Sequence, residues 1–203
     1  RQRYLEMTRE EIDRLISIVQ RILDFYRPTR DGMRPVDLGD ILDAVMTLTA
    51  NQLHEHNIQV LRADRLKLPR VFAVSNHIKQ VCLSLIFNAI EAMPDGGELR
   101  VGAYLAAEGS EVGADGFTVV AGGHTASPMI GPTVVVEIGD TGSGISSQDL
   151  PKIFEPFYTT RMKGTGLSLA LSYSIVEQHH GDMAVRSALG QGTTFRIRLP
   201  VAK

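Results

Sequence analysis

The sequence predicts an α+β sandwich in which helices cover one face of a mixed sheet, preceded by one long bundle-forming helix. Three observations predict it. Helical patterns fall between groups of strand patterns rather than alternating with them one for one, which argues against a doubly wound parallel sheet. Residues 133–138 and 193–199 are β-rich runs late in the chain, where such a sheet closes. Over residues 1–26, Leu5, Thr8, Ile12, Leu15, Val19, Ile22 and Tyr26 recur at alternating steps of three and four. Ile16 and Leu23 widen that stripe to the breadth a helical bundle uses. A helix of this kind cannot bury its own stripe and needs a partner helix.

The remaining elements follow in order. Two prolines and a glycine in residues 27–35 read as a linker. Asp37 can cap a helix running to about residue 56, supported by Leu38, Ile41, Leu42, Val45, Leu48 and Leu53. Residues 57–62 and 70–74 read as two strands flanking a turn at 64–69. Ser75 or Asn76 caps the next helix, which buries Ile78, Val81, Cys82, Leu85, Ile86 and Ala89 and stops at Pro94-Asp95-Gly96-Gly97. Residues 99–105 are a strand. Residues 106–132 are glycine-rich and weakly patterned, a long loop with an added strand at 117–120. Residues 166–179 are helical, and 182–187 pairs with 193–199.

Composition narrows the function classes. The chain has 203 residues, 43% of them hydrophobic, room for one domain and an appendage. A formal net charge of −2 argues against a broadly basic nucleic-acid surface. The single Cys82 excludes an internal disulfide framework and fits a reducing, cytoplasmic setting. The longest charge-free stretch, 116–136, is too rich in glycine, proline and hydroxyl residues to span a membrane, and residues 1–4 carry no signal-peptide pattern.

Three stretches carry chemistry. Asp140-Thr141-Gly142-Ser143-Gly144 follows directly on a strand. Its glycines permit positive φ and let a flat ring lie against the backbone, and its carboxylate can accept from an exocyclic amine. By itself this pattern is also that of an ordinary glycine-rich turn. Gly164-Thr165-Gly166-Leu167 opens a helix, where free amides and the positive dipole end suit a phosphate, although the spacing is neither a Walker A loop nor a dinucleotide fingerprint. Asn88 is an amide among Ile86, Phe87, Ala89 and Ile90, and an amide oxygen can ligate Mg²⁺ beside phosphate oxygens. A residue at the edge of the helix's exposed face is the bland alternative.

Together, Asn88-Ala89, Asp140-x-Gly142-x-Gly144, Phe154-Glu155-Pro156-Phe157 and Gly164-x-Gly166-Leu167 resemble, in order, the N, G1, F and G2 boxes of sensor histidine kinases, and Gly190-Gln191-Gly192-Thr193-Thr194-Phe195 continues the match. The resemblance covers about residues 35–200. It implies a Bergerat-type ATP-binding domain at 36–203, a linker at 29–35, and, at 1–28, the second helix of a dimerisation and phosphotransfer hairpin. It implies ATP and Mg²⁺ as ligands: Asn88 on the metal, Asp140 on adenine, Gly142 and Gly144 shaping the pocket, Gly164, Thr165, Gly166 and Leu167 at the phosphates, and Thr193 as a second adenine contact. Residues 146–164 become a short lid of the nitrogen-regulation type, with Phe154, Phe157 and Tyr158 as anchors and Arg161 and Lys163 reaching phosphates. Asn88 and Lys163 are then the catalytic residues. The implied partners are a second copy of the chain, through the hairpin helix, and the receiver domain of a response regulator, with a parent protein that can be membrane-anchored.

The departures also speak. Ser84 stands where the family's N box usually begins with another Asn, and Ser168 where its G2 box often has a third glycine. The phosphoaccepting histidine belongs to the first hairpin helix, outside these residues. His54-Glu55 matches its motif only superficially, and neither His54 with His56 nor His179 with His180 has a third metal ligand at suitable spacing. The expectation is a fragment that binds ATP and does not phosphorylate itself. Two alternatives stand beside a kinase. One is an ATPase of the same fold, which would need a general base where Ser84 stands or, failing that, at Glu91. The other is a nucleotide-binding interaction module that dimerises through its first helix.

Overall fold

The computed structural model describes residues 32–63, 67–106, 116–119, 131–161 and 164–202. The expected bundle helix at 1–26 lies outside the described residues, as does Lys163. The described chain opens with β1 (Arg34–Val36), α1 (Leu38–Glu55), β2 (Ile58–Arg62), β3 (Val71–Ala73), α2 (Ser75–Ala92) and β4 (Gly97–Ala106). It continues with β5 (Thr118–Val119), β6 (Thr133–Asp140), α3 (Ser168–Gln178), β7 (Asp182–Ala188) and β8 (Gly192–Pro200).

The helices form where the sequence patterns place them. Asp37 caps α1, its Oδ1 accepting from the Gly39 N–H at 2.8 Å, a contact worth about 1 kcal/mol. Leu38, Ile41, Leu42, Val45, Thr49 and Leu53 make the buried stripe, and the Thr49 hydroxyl is satisfied by the Val45 carbonyl one turn back. In α2, Ile78, Val81, Cys82, Leu85, Ile86, Ala89 and Ile90 are buried. Burial pushes the Cys82 thiol up to about 12, so it packs as a small hydrophobe and is no nucleophile.

The main sheet has the order β2-β4-β6-β8-β7-β5. β2 runs parallel to β4, and every other pair is antiparallel. Alternation along the strands decides the layers. Leu99 and Val101, Val134, Val136 and Ile138, Met183 and Val185, and Phe195, Ile197 and Leu199 join the helices in one core. The opposite face carries polar pairs: Glu137 accepts from Tyr104 Oη at 3.0 Å and Arg196 Nε at 2.7 Å, and Asp182 pairs with Arg198. The added strand expected near 117–120 is β5, on the free edge of β7. Phe117, just before it, lies between the Arg196 and Arg186 guanidinium groups, 3.8 and 4.6 Å from its ring centre. This is what the described part of the long insertion does: it closes a sheet edge and covers part of the polar face.

The structure corrects two local readings and adds a pairing to a third. The linker expected to reach residue 35 ends in strand β1, which pairs antiparallel with β3 to form a separate two-stranded ribbon. A three-residue strand is too short to leave a periodic signal. β2 and β3, read as strands flanking a turn, lie where expected but do not pair with each other; β2 joins β4 and β3 joins β1. Neither Ser75 nor Asn76 caps α2. Val74 is the N-cap, and its N–H donates to Nε2 of the buried His179 at 3.0 Å. That bond puts the His179 proton on Nδ1, which donates to the Ile175 carbonyl at 2.7 Å. His179 is thus a splice between the end of α3 and the start of α2, and among the described residues no cluster of His, Cys, Asp or Glu could hold a metal.

His77 packs edge-on against His179, with ring centres 5.7 Å apart, and burial, with repulsion from His179 wherever that ring is protonated, lowers the His77 pKa from its ordinary value of 6.5. A lowered histidine makes the folded state bind protons less readily than the unfolded chain. Its stabilising contribution is therefore present above about pH 6.5 and is lost as pH falls through the lowered value. Denaturant melts at pH 7.5 and 5 should show a stability drop in the wild type that shrinks in His77→Gln; an equal drop in both would contradict the assignment. No described helix is long and apolar enough to cross a membrane.

Candidate functional site

The site is assembled around the C-terminal half of α2. β6 ends at Asp140, which lies beside Thr193 of β8 on the helix-covered face, because Gly139 pairs with Thr194. Asp140 Oδ1 accepts from the Gly142 N–H at 2.9 Å and from the Thr193 N–H at 3.2 Å. Among the described residues no hydrogen bond reaches Oδ2. Burial raises the Asp140 carboxyl above its ordinary value, against the two backbone N–H groups and the charge of Arg161. A half-buried carboxylate with one oxygen fixed and one open is an acceptor for an amine at the mouth of the sheet.

The loop after Asp140 is clasped on both sides. A Cβ on Gly142 would stand 2.4 Å from the Ala92 carbonyl at the end of α2, and the Ser143 N–H donates to that same carbonyl at 3.0 Å. A Cβ on Gly144, where φ is +68°, would stand 2.0 Å from the Ala188 carbonyl at the turn between β7 and β8. The turn answers with the Gly190 N–H donating to the Ser143 carbonyl at 2.8 Å. Ser187, which sequence reasoning passed over, ties the two together. Its hydroxyl donates to the Gly192 carbonyl at 2.9 Å, accepts from the Ile145 N–H at 2.8 Å, and meets the Thr193 hydroxyl at 2.9 Å. The missed signal was a polar residue at the third inward position of β7, after Met183 and Val185.

Asn88 lies one turn before Ala92 on α2. It is half-buried, and its side-chain nitrogen is buried without a hydrogen-bond partner among the described residues. The Thr165 hydroxyl is buried and unpartnered in the same sense. α3 begins at Ser168 with no side-chain cap, so its first amides carry no side-chain acceptor. Leu167, the N-cap, is buried; Gly164 and Gly166 are half-buried, and a Cβ on Gly166 would strike the Phe157 and Tyr158 backbone. The Asn88 amide N–H group, the Thr165 hydroxyl and an uncapped helix start are donors that phosphate oxygens complete, and the amide oxygen of Asn88 is of the kind a hard cation beside those phosphates takes. The residues present fit a Mg²⁺–phosphate group.

The two departures from the expected boxes meet: Ser84 Oγ donates to the Ser168 carbonyl at 3.4 Å, tying α2 to the first turn of α3. The expected lid begins with Ser146 and Tyr158 both bonded to Asp149, whose pKa is lowered by those two hydroxyls. Phe154 anchors it, packing on Tyr173 and Phe195. Phe157 does not, which corrects its expected role. It is 71% exposed with φ of +69°, because its backbone is held by the Gly166 carbonyl while the ring points outward. Arg161 ion-pairs with Glu91 and donates to the Asn88 carbonyl at 3.1 Å, so the lid reaches α2 at its Asn88 turn.

Comparison with known proteins agrees with this geometry. Residues 73–203 match the family described as histidine kinase-, DNA gyrase B-, and HSP90-like ATPase. Sensor histidine kinase ZraS of Escherichia coli is 33% identical over 95% of this chain and 36% of its own length. Sporulation kinase E of Bacillus subtilis is 31% identical over 98% of this chain and 24% of its own. The chain thus spans about a third or less of the curated relatives it matches. Among solved structures, full-length ShkA in complex with AMPPNP superposes with a TM-score of 0.71 at 25% identity, covering 98% of this chain and 38% of that one. Histidine kinase ThkA, solved with a response regulator protein, superposes at 0.70 and 24% identity over 98% of this chain and 51% of that one, a likeness of fold.

Proposed function

This chain belongs to the histidine kinase-, DNA gyrase B- and HSP90-like ATPase family and carries the catalytic ATP-binding domain of a sensor histidine kinase, and from that premise we propose that it passes the γ-phosphoryl of ATP to a histidine on a hairpin helix that is not among its 203 residues. The observation that carries the proposal is the convergence on the C-terminal half of α2: an open Asp140 oxygen beside the loop clasped to Ala92 and, one turn back, the Asn88 side-chain nitrogen, which like the Thr165 hydroxyl has no partner among the described residues.

In this reading Asp140 Oδ2 accepts from the adenine amine, and Gly142 and Gly144 let the ring lie against the backbone. Gly164, Thr165, Gly166, Leu167 and the first amides of α3 hold the phosphates. Asn88 would hold a Mg²⁺ ion, whose charge would offset that of the phosphate oxygens. Lys163 supplies positive charge from the lid, whereas Arg161, expected to reach phosphates, is held by Glu91 and the Asn88 carbonyl. The domain's contribution is positioning and electrostatics, and the nucleophile is the imidazole it is offered. A second copy joined through residues 1–28, the receiver domain of a response regulator as the next acceptor, and a cytoplasmic location complete the proposal.

The ATPase alternative is weaker. It needs a base, and the Ser84 hydroxyl at the relevant position faces the Ser168 carbonyl, while Glu91 is engaged by Arg161. The deciding assay incubates the chain with γ-labelled ATP and a separate phosphoacceptor hairpin. Acid-labile, base-stable label should appear on the hairpin, and Asn88→Ala should reduce it on the order of 100-fold with little change in melting temperature. Brisk hydrolysis with no labelled hairpin would favour the ATPase.

A further inference from the structure

The Ser187 cluster fixes more than the shape of the loop, and we infer that Ser187 is a positioning residue that sets the hydrogen-bond polarity of Thr193, making it an acceptor toward the base and so moderating the purine selection made by Asp140. The inference rests on the ATP-binding reading above. A serine hydroxyl has one proton and two lone pairs. The Gly192 carbonyl can only accept, so the Ser187 proton goes there, at 2.9 Å. The Ile145 N–H can only donate, so it takes one Ser187 lone pair, at 2.8 Å. The remaining contact, 2.9 Å to Thr193 Oγ1, must then use the Thr193 proton. Ser187 is saturated, and Thr193 has nothing left to offer but lone pairs.

Thr193 and Asp140 are cross-strand neighbours on one face, with the Thr193 N–H on Asp140 Oδ1. The base therefore meets two acceptors side by side. Adenine answers the first with its amine. Its ring nitrogen N1 is itself an acceptor, so it reaches Thr193 only through a water that donates both its protons. Hypoxanthine carries an N–H at that position, which Thr193 receives directly, and a carbonyl facing Asp140, which it repels. Asp140 thus does the discriminating against 6-oxo purines, and Thr193, as Ser187 holds it, partly offsets that discrimination.

Removing Ser187 returns the proton to Thr193, which can then donate straight to adenine N1. Calorimetric titration with the Mg²⁺ complexes of ATP and inosine triphosphate reads this out. In Ser187→Ala the ratio of the inosine to the adenosine dissociation constant should rise at least fivefold. In a Thr193→Val background the same change should leave the ratio alone. Ser187→Cys, nearly isosteric but a weak donor and acceptor, should shift the ratio in the same direction if the alanine variant does not fold. A general loosening of the loop weakens both nucleotides together and cannot move the ratio. A ratio unchanged within twofold in Ser187→Ala or Ser187→Cys, or one that falls, overturns the inference while leaving ATP binding intact. No binding of ATP by the wild type overturns the parent reading and this inference with it.

Discussion

Asp140→Asn should lose ATP affinity on the order of 100-fold while gaining thermal stability. The loss follows from one position: the asparagine oxygen can keep both backbone N–H bonds from Gly142 and Thr193, which places its amide nitrogen where Oδ2 was, donor facing the adenine amine. A charged hydrogen bond removed and a like pair of donors imposed amount to about 2–3 kcal/mol. The gain follows from the raised carboxyl. A folded-state pKa above the unfolded one means the stabilising contribution is present below pH 3.8 and is lost as pH rises through the folded value, so at neutral pH the ionised Asp140 costs stability. A neutral asparagine removes that cost. Calorimetry for ATP and a thermal melt at pH 7.5 check both halves, and a variant that keeps its affinity, or that loses it by melting lower than the wild type, would refute the account of Asp140.

Gly144→Ala should be among the most damaging single methyl additions in the domain, and Gly190→Ala is its control. Both residues sit at nearly the same left-handed φ, +68° and +71°. That conformation costs an alanine roughly 1 kcal/mol in either place. At Gly190 nothing lies within 4 Å of the added carbon, whereas at Gly144 it would stand 2.0 Å from the Ala188 carbonyl, a backbone atom that cannot swing aside. The loop after Asp140 must then part from the β7–β8 turn, breaking the clasp at Ser143–Gly190 and Ile145–Ser187. Gly144→Ala should lose about 2–4 kcal/mol of stability and nearly all nucleotide binding, while Gly190→Ala should bind within a few-fold of the wild type. Denaturant unfolding and ATP titration on the pair separate strain from collision; equal damage in both would show that backbone conformation, not close approach, explains the loop.

What the sequence made legible, and what it hid, has a physical pattern. Asp37, the apolar steps of α1 and α2, and the run at β6 are local signals, and each element lies within a residue or two of its expected bounds. The motif residues Asp140, Gly142, Asn88 and Gly166 were legible together, through the ordered resemblance of their boxes to the family; singly they also read as a glycine-rich turn and a helix-edge amide. Hidden were contacts between distant parts of the chain. β1 is three residues long and stands only because β3 accepts it. His179 accepts from the Val74 N–H more than a hundred residues away, and no local pattern announces that. Phe157 read as an anchor because aromatics usually are; the Gly166 contact that turns it outward is tertiary. Ser187 looked like an ordinary strand residue until its three partners were in view.

The central claim is that this domain reads adenine through Asp140 and holds phosphates with a metal at Asn88. Calorimetric titration of the wild-type chain with ATP and GTP, each with Mg²⁺ and with a chelator, tests it most directly. The account predicts ATP binding at least tenfold tighter than GTP, with affinity falling several-fold when Mg²⁺ is withdrawn. Equal affinity for ATP and GTP, or ATP binding indifferent to Mg²⁺, would contradict it.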